Sequence, residues 1–330
     1  MLSRLRFTRV SLLLLSAGVY LLLAAAILPA FQQPALFISS GDVTGGDYVA
    51  SSGIAKIFNR KSAEYGMRLA TVPSEGSAAS IDSVLLGRTA FGIAQTDMLQ
   101  RAVNGLGPWQ GKPQNSVRAI LGLHVEAVTI VAASGREIDR VKDLEGKRLN
   151  IGAPGSSAHR YAAQVLEVSG VLPANVTLSE RSTALASELL QRSQIDAYLY
   201  TAGHPDLSLL EASTGSRKVR LVPLERPLIE QMTSTNPLLL PAVISTDYYP
   251  GLEHQGEFPT VGVRAVLFTR ADAAEELVYQ LVREVLTNVD LLRRQHPLLQ
   301  RLTPQAACDI TVSPYHAGAE RYFREAGLTR

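Results

Sequence analysis

Cysteine is almost missing from this chain: Cys308 is the only one among 330 residues. A lone thiol excludes an intramolecular disulfide and any cysteine-built structural zinc site, so packing must supply the stability, and Cys308 reads as a small core hydrophobe. Net charge is scarce as well. The formal value is +2, yet Arg4, Arg6 and Arg9 all precede the first apolar segment, and setting them apart leaves 29 basic residues against 30 acidic. No basic footprint for nucleic acid remains. Catalytic signatures are missing too: there is no Gly-x-Ser-x-Gly elbow, His-Glu-x-x-His helix, Walker phosphate loop or kinase set. The glycines at 41, 45 and 46 miss the dinucleotide-binding spacing, and the six histidines show no metal-ligand spacing. A Ser-His-Asp group assembled from distant segments is defined by geometry and would leave no such trace.

What the chain does have is apolar content, 46% of its residues, and a length that suggests two lobes. The 19 residues from Val10 to Leu28 carry no charge and follow the three arginines. That pattern is a membrane-targeting segment, with the positive flank cytoplasmic and everything from about residue 32 onward outside. Its length exceeds the usual signal-peptide core of roughly 7–15 residues and approaches the roughly 20 needed to span a bilayer. Small residues at Ala24-Ala25-Ala26 and Pro29-Ala30 offer a cleavage site, so residues 1–31 are either a signal peptide or an uncleaved anchor. No cysteine stands nearby to carry a lipid.

Beyond Pro34, strand-like and helix-like patterns alternate: strands near 36–39, 68–72 and 91–94, helices over 48–60, 77–86 and 96–103. Alternation of this kind predicts an α/β fold with mainly parallel pairing. Two buried strands, 119–123 and 127–132, then end the first lobe. A second set repeats the plan: a strand over 148–151, helices over 156–169 and 183–192, strands over 195–200 and 218–222. A Pro- and turn-rich closing segment, 227–260, follows, where Pro237, Pro241, Pro250 and Pro259 break helix. The run 260–269, a long strand with Gly262 at its centre, leads to an amphipathic helix over 273–289 and returns the chain to the first lobe. Residues 35–132 with 262–330 form lobe I and 133–261 lobe II, a hinged clamshell with its cleft at the strand-to-helix turns.

Gly41-Asp42-Val43-Thr44-Gly45-Gly46-Asp47-Tyr48 joins the first strand to the first helix. Its glycines allow close backbone approach, and the helix start that follows presents unpaired N–H groups to an anion. Ser74-Glu75-Gly76-Ser77, Gln95-Thr96-Asp97 and Gly152 to Ser157 occupy equivalent strand ends, and such turns face one crevice in an α/β sheet. Ser77, Thr96, Asp97 and Ser156 also suit helix capping. Gln95 does not need a capping role, and its carboxamide suits a carboxylate or an amino group. Glu126, between two strand runs, is either the partner of a ligand ammonium or of an arginine. His204, in Ala202-Gly203-His204-Pro205, is a cleft turn or a turn-capping histidine.

Taken in order, Thr44-Gly45-Gly46-Asp47-Tyr48, Ser74 to Ser77, Phe91-Gly92-Ile93-Ala94-Gln95-Thr96-Asp97, Val141 to Arg148, Gly152-Ala153-Pro154-Gly155-Ser156, Ala202 to Pro205, Pro259 to Val263 and His316 to Tyr322 resemble the TAXI family, the extracytoplasmic solute-binding subunits of TRAP transporters. The resemblance covers nearly all of the exported portion. It implies a type II periplasmic-binding-protein fold: two α/β lobes joined by hinge strands and closing on a small carboxylate or amino acid, glutamate- or glutamine-like, for delivery to TRAP membrane subunits. It implies a monomer in the periplasm, free or anchored through residues 10–28, with no catalytic residue, metal or cofactor. The pocket residues it implies are Thr44, Gly45, Gly46, Tyr48, Ser77, Gln95, Asp97, Glu126, Ser156, Ser157, Gly203 and His204. A membrane-tethered sensor or scaffold of the same fold is the alternative. Departures from the family pattern fall in pocket loops: Glu75 replaces a glycine, Ser80 an asparagine, and Ser157-Ala158-His159 stands where Gly-Thr-Arg is common, with Arg160 one place later.

Overall fold

A computed structural model describes residues 33–328; the apolar 10–28 segment lies outside them. The first βαβ unit runs from β1 (Ala35–Ser40) through α1 (Gly46–Phe58) to β2 (Arg68–Pro73). Next come α2 (Ser77–Leu85), β3 (Phe91–Gln95), α3 (Thr96–Val103) and β4 (Val117–Ala133). The second half holds β5 (Arg148–Asn150), α4 (Ser157–Val168), β6 (Thr177–Ser179), α5 (Ala186–Gln191), β7 (Ala197–Ala202) and α6 (Leu207–Thr214). It continues through β8 (Val219–Leu221), α7 (Arg226–Thr235) and β9 (Leu239–Ser245) to β10 (Glu257–Arg270). Helices α8 (Glu275–Thr287) and α9 (Ala317–Glu325) return to the first half.

The sheet order is β2-β1-β3-β10-β4-β7-β5-β6, with β8 beside β4 and β9 beside β10. β1 pairs parallel with β2 and β3, and β5 pairs parallel with β6 and β7. Among the described residues only β4 and β10 belong to both halves, running antiparallel to each other from Gly262 opposite Ala127 to Arg270 opposite Val117. This is the two-lobed α/β arrangement of type II periplasmic-binding proteins, with β4 leading out of the first half and β10 leading back.

Side-chain alternation assigns the two faces. In the first half Ala265 and Leu267 of β10 pack toward α1 and α8, while Val266 and Phe268 pack toward Ile81 and Val84 of α2 and Leu99 of α3. In the second half Val128, Ile130 and Ala132 face Tyr161 and Val165 of α4, and Ala127, Val131 and Ala133 face Leu189 and Leu190 of α5. Both faces of each half are covered, which is why these strands carry continuous apolar runs. Cys308 is half-buried, donates Sγ–H to the Pro304 carbonyl at 3.1 Å, and has its thiol pushed up to about 11 by burial.

Three expectations need correction. Pairing is not mainly parallel: five of the nine strand pairings among the described residues, all of them made by β4 or β10, are antiparallel, because these two strands run out of and back into the first half. The runs 119–123 and 127–132 are one 17-residue strand, β4, because His124 and Glu126 do not interrupt it. The segment 227–260 is not mainly turns: α7 occupies Arg226–Thr235 and β9 Leu239–Ser245. Pro227 sits in the first turn of α7, where it has no hydrogen bond to break, and β9 carries Pro241 opposite Val261.

The crossover tolerates no side chain at Gly262. A Cβ there would lie 2.5 Å from Val125 Cγ1 and 2.7 Å from the Glu126 carbonyl oxygen. Backbone on one side cannot yield like a flexible side chain, so Gly262→Ala is expected to destabilise the protein by about 1–3 kcal/mol, measured as a lower urea midpoint at unchanged slope.

Candidate functional site

Strand parity builds the cleft floor. His124 and Glu126 are two residues apart on β4, so both side chains leave the same face, at the point where β4 passes from one half to the other. Asp47 reaches them from the first turn of α1. His124 Nε2 lies 3.4 Å from Asp47 Oδ1 and 3.7 Å from Glu126 Oε1, and the His124 side chain has no exposed surface. Gln95, at the end of β3, donates its amide to Glu126 Oε2.

Contacts cross the cleft at three places. Arg160 of α4 pairs with Asp97 in the first turn of α3. Gln95 Nε2 is 3.4 Å from Ser157 Oγ. Gly46 and Gly203, from opposite halves, both press on Leu298 and His124: a Cβ on Gly46 would meet Leu298 Cδ2 at 2.8 Å and His124 Nε2 at 3.1 Å, and one on Gly203 would meet Leu298 Cδ1 at 2.4 Å. Beside them lies a cavity of about 290 Å³, lined among others by Thr44, Gly46, Asp206, Tyr248, Tyr249 and His296. Larger hollows of about 460 Å³ lie elsewhere, one beneath the far end of the first half around Leu36, Arg88 and Thr269, and none of the turns 41–48, 74–77, 95–97, 152–157 or 202–205 lines it.

Within the described residues, Asp47 Oδ1, Gln95 Oε1, Thr96 Oγ1, Asp97 Oδ1 and both ring nitrogens of His124 are buried without a hydrogen-bond partner. Leaving such a group unsatisfied costs roughly 1–3 kcal/mol. Their concentration at one floor marks the cleft as a place built for polar contact. Burial raises the Asp47 carboxyl well above its ordinary value, and the neighbouring Glu126 carboxylate adds to the rise. Burial likewise raises Asp206, with a smaller contribution from Glu126.

The residues expected at the site divide into three groups. Gly46, Gln95, Asp97, Glu126, Ser157 and Gly203 meet at or across the cleft as described. Others serve the turns themselves: the Thr44 N–H and Oγ1 both bond Asp42 Oδ1, at 2.9 and 2.6 Å, and Gly45 occupies the cap position of α1 without a side-chain cap. Ser77 Oγ accepts the Gln95 N–H at 3.1 Å, and Ser156 caps α4 through the His159 N–H. Tyr48 is half-buried in the first turn of α1, its carbonyl accepting from Ser51 Oγ at 3.0 Å.

His204 forms the third group, inside the second half beside Thr129 and Tyr249. Thr129 donates Oγ–H to the Ala127 carbonyl and the Tyr249 hydroxyl accepts the Asp206 N–H. His204 Nε2 at 2.8 Å therefore donates to Thr129 Oγ1, and Nδ1 at 2.6 Å accepts from the Tyr249 hydroxyl. The departures have local roles too. Ser80 bonds Ser39 and Ser74 at 3.1 and 2.9 Å, His159 bonds Glu180 at 2.9 Å, and Glu75 is exposed.

Asp47, His124 and Arg160 were not among the residues expected at the site. Asp47 lies inside the Gly-Gly-Asp-Tyr turn, and the two-residue spacing of His124 and Glu126 on a strand was the available signal for the second.

The family model described as NMT1-like matches residues 38–327. The chain belongs to the NMT1-like family. Among solved structures, this NMT1-like protein is similar to the periplasmic aliphatic sulphonate binding protein SsuA from Escherichia coli, at 15% identity over 90% of this chain and 94% of that one, TM-score 0.49. It is also similar to lipoprotein Tp32 from Treponema pallidum, at 14% identity over 81% and 98%, TM-score 0.49. A third similarity is to the GluR0 ligand-binding core from Nostoc punctiforme in complex with L-glutamate, at 14% identity over 80% and 98%, TM-score 0.46. No helix of the described residues is long and apolar enough to cross a membrane.

The buried His204 gives a pH test. Burial depresses it from 6.5 to about 3, so the stability it contributes is present above pH 6.5 and is lost as pH falls toward 3. His204→Gln, which can still donate and accept, is expected to flatten the fall of melting temperature between pH 6.5 and 4 relative to the parent. An unchanged acid limb would show that His204 does not carry it.

Proposed function

We propose that this NMT1-like protein is an extracytoplasmic solute-binding subunit of the TAXI type that captures a small carboxylate or amino acid between its lobes and delivers it to TRAP membrane subunits. Several observations support the reading. Strand-end turns of both halves meet at one cleft, and the observation that carries most is the cluster of buried, unpartnered polar atoms at its floor. The first turn of α1 adds free backbone donors, since Gly45 supplies no side-chain cap; a solute carboxylate would sit there, aided by the helix dipole. The ordered motifs and the charge-flanked 10–28 segment support the extracytoplasmic placement, and the same segment, if retained, would hold the protein beside its membrane partners without preventing delivery.

Charge narrows the solute. Asp47, Glu126 and Asp206 are carboxyl groups around the cleft, and the Arg160 guanidinium that crosses it is already paired with Asp97. A dianion would bring two further negative charges into a site where burial already disfavours the ionised forms of Asp47 and Asp206. An amino acid or monocarboxylate is the better match.

Calorimetry and thermal shift against amino acids, monocarboxylates and dicarboxylates test the reading. One or a few compounds should bind and stabilise the protein, by about 2.7 kcal/mol at a hundred times Kd, with dicarboxylates weaker than the matching amino acids. Gly46→Ala should weaken binding at least about tenfold, because its methyl intrudes on Leu298 and His124. No binder at millimolar concentration in any class would sink the proposal.

A further inference from the structure

The floor of the cleft has a second chemical character that solute capture does not require. Asp47, His124 and Glu126 each offer one donor atom, and the three atoms lie within 4.8 Å of one another. His124 is the independent pointer: its ring is wholly buried, neither nitrogen has a hydrogen-bond partner, and Nε2 faces one oxygen from each carboxylate at 3.4 and 3.7 Å. Asp47 Oδ1 is likewise unpartnered.

We propose that Asp47, His124 and Glu126 bind a divalent transition-metal cation of the zinc class at the floor of the cleft. Bonds of about 2.0–2.1 Å in a tetrahedron place neighbouring donors about 3.3–3.4 Å apart; the two spacings to His124 need adjustments of only tenths of an ångström, and the two carboxylate oxygens, within 4.8 Å of each other, close the third edge. One imidazole and two carboxylates form a mixed nitrogen and oxygen set suited to zinc, whereas calcium takes six to eight oxygens and magnesium keeps most of its waters. The outer shell is partly in place. Gln95 donates to Glu126 Oε2, which fixes that carboxylate and leaves Oε1 turned toward His124. Three protein donors leave a fourth position for water or for a carboxylate of the solute. Gly46 is needed for the fit, since a Cβ there would stand 3.1 Å from His124 Nε2.

The test uses the untagged full chain, stripped with chelator and then titrated with Zn²⁺ alone by calorimetry and with Co²⁺ alone by visible absorption. One ion per chain is expected, with Co²⁺ d–d bands of a four- or five-coordinate site. His124→Gln should abolish the bands and weaken Zn²⁺ binding more than about 100-fold, while Gln95→Ala should weaken it about 10- to 100-fold. Metal-free melting curves establish that both variants fold. Lack of saturable Zn²⁺ or Co²⁺ binding at millimolar metal would overturn the proposal, as would a folded His124→Gln variant that binds as the parent does. Solute titrations run with chelator present keep the two readings apart: solute binding with no metal binding overturns this one alone, and metal binding with no solute binding leaves it standing while removing the other.

Discussion

The close antiparallel crossing of β4 and β10 is the constraint on which the rest of the molecule depends. Among the described residues these strands alone are shared by the two halves, and they approach closely enough that a side chain on Gly262 would strike Val125 and the Glu126 carbonyl. Gly122 makes a similar concession, with the Ala306 carbonyl oxygen 3.2 Å from where its Cβ would be. Once the crossing fixes the register, the two-residue period of β4 fixes which side chains enter the cleft. A slip of one residue would bury Val125 there and turn His124 and Glu126 away. Core packing and site chemistry are thus set by one register, because Val128, Ile130 and Ala132 continue the same parity into the core of the second half.

That dependence also explains what could be read from the sequence. Alternating patterns gave the α/β class, and the Gly41–Tyr48 turn stands where a strand-end loop was expected, since Gly and helix-start signals are local. β4 was split in two because a histidine and a glutamate inside an apolar run look like a loop; only a partner strand with a shared polar cleft makes them continuous. The segment around α7 and β9 was misread for a related reason. Pro237, Pro241, Pro250 and Pro259 do lie outside helix, but Pro241 and Pro259 sit in β9 and β10 and Pro237 follows the end of α7, so they bound the regular elements of this segment without abolishing them. The site was legible at the level of loops and not of atoms. Gln95, Asp97 and Glu126 come together, whereas Thr44 and Ser156 serve their own turns. Asp47 and His124 become neighbours only through the tertiary fold.

Polar groups also hold the halves together. Arg160 with Asp97 and Gln95 with Ser157 each join a helix start or strand end of one lobe to the other. These links are polar and few, while the four apolar clusters divide two to each half. The contacts across the cleft are thus of a different kind from the apolar packing inside each half. Water can replace a broken polar contact in a way that it cannot replace packed apolar surface. The division of forces suits a clamshell.

The departures from the TAXI pattern then acquire a physical sense. Moving an arginine from position 159 to 160 turns it about 100° around a helix of 3.6 residues per turn. His159 turns toward Glu180 within its own lobe, and Arg160 turns across the cleft to Asp97. A guanidinium committed to a carboxylate of the opposite lobe has less charge to offer a ligand, yet its pairing depends on the lobes being together. In the proposed function the cation therefore contributes to closure more than to recognition, and the negative end of the solute falls to the backbone N–H groups at the start of α1. Those donors carry only partial charge, about half a unit for a whole helix end. In that reading such a site would hold a single carboxylate without neutralising two, and the burial that disfavours the ionised form of Asp47 beside Glu126 works against a second negative charge as well.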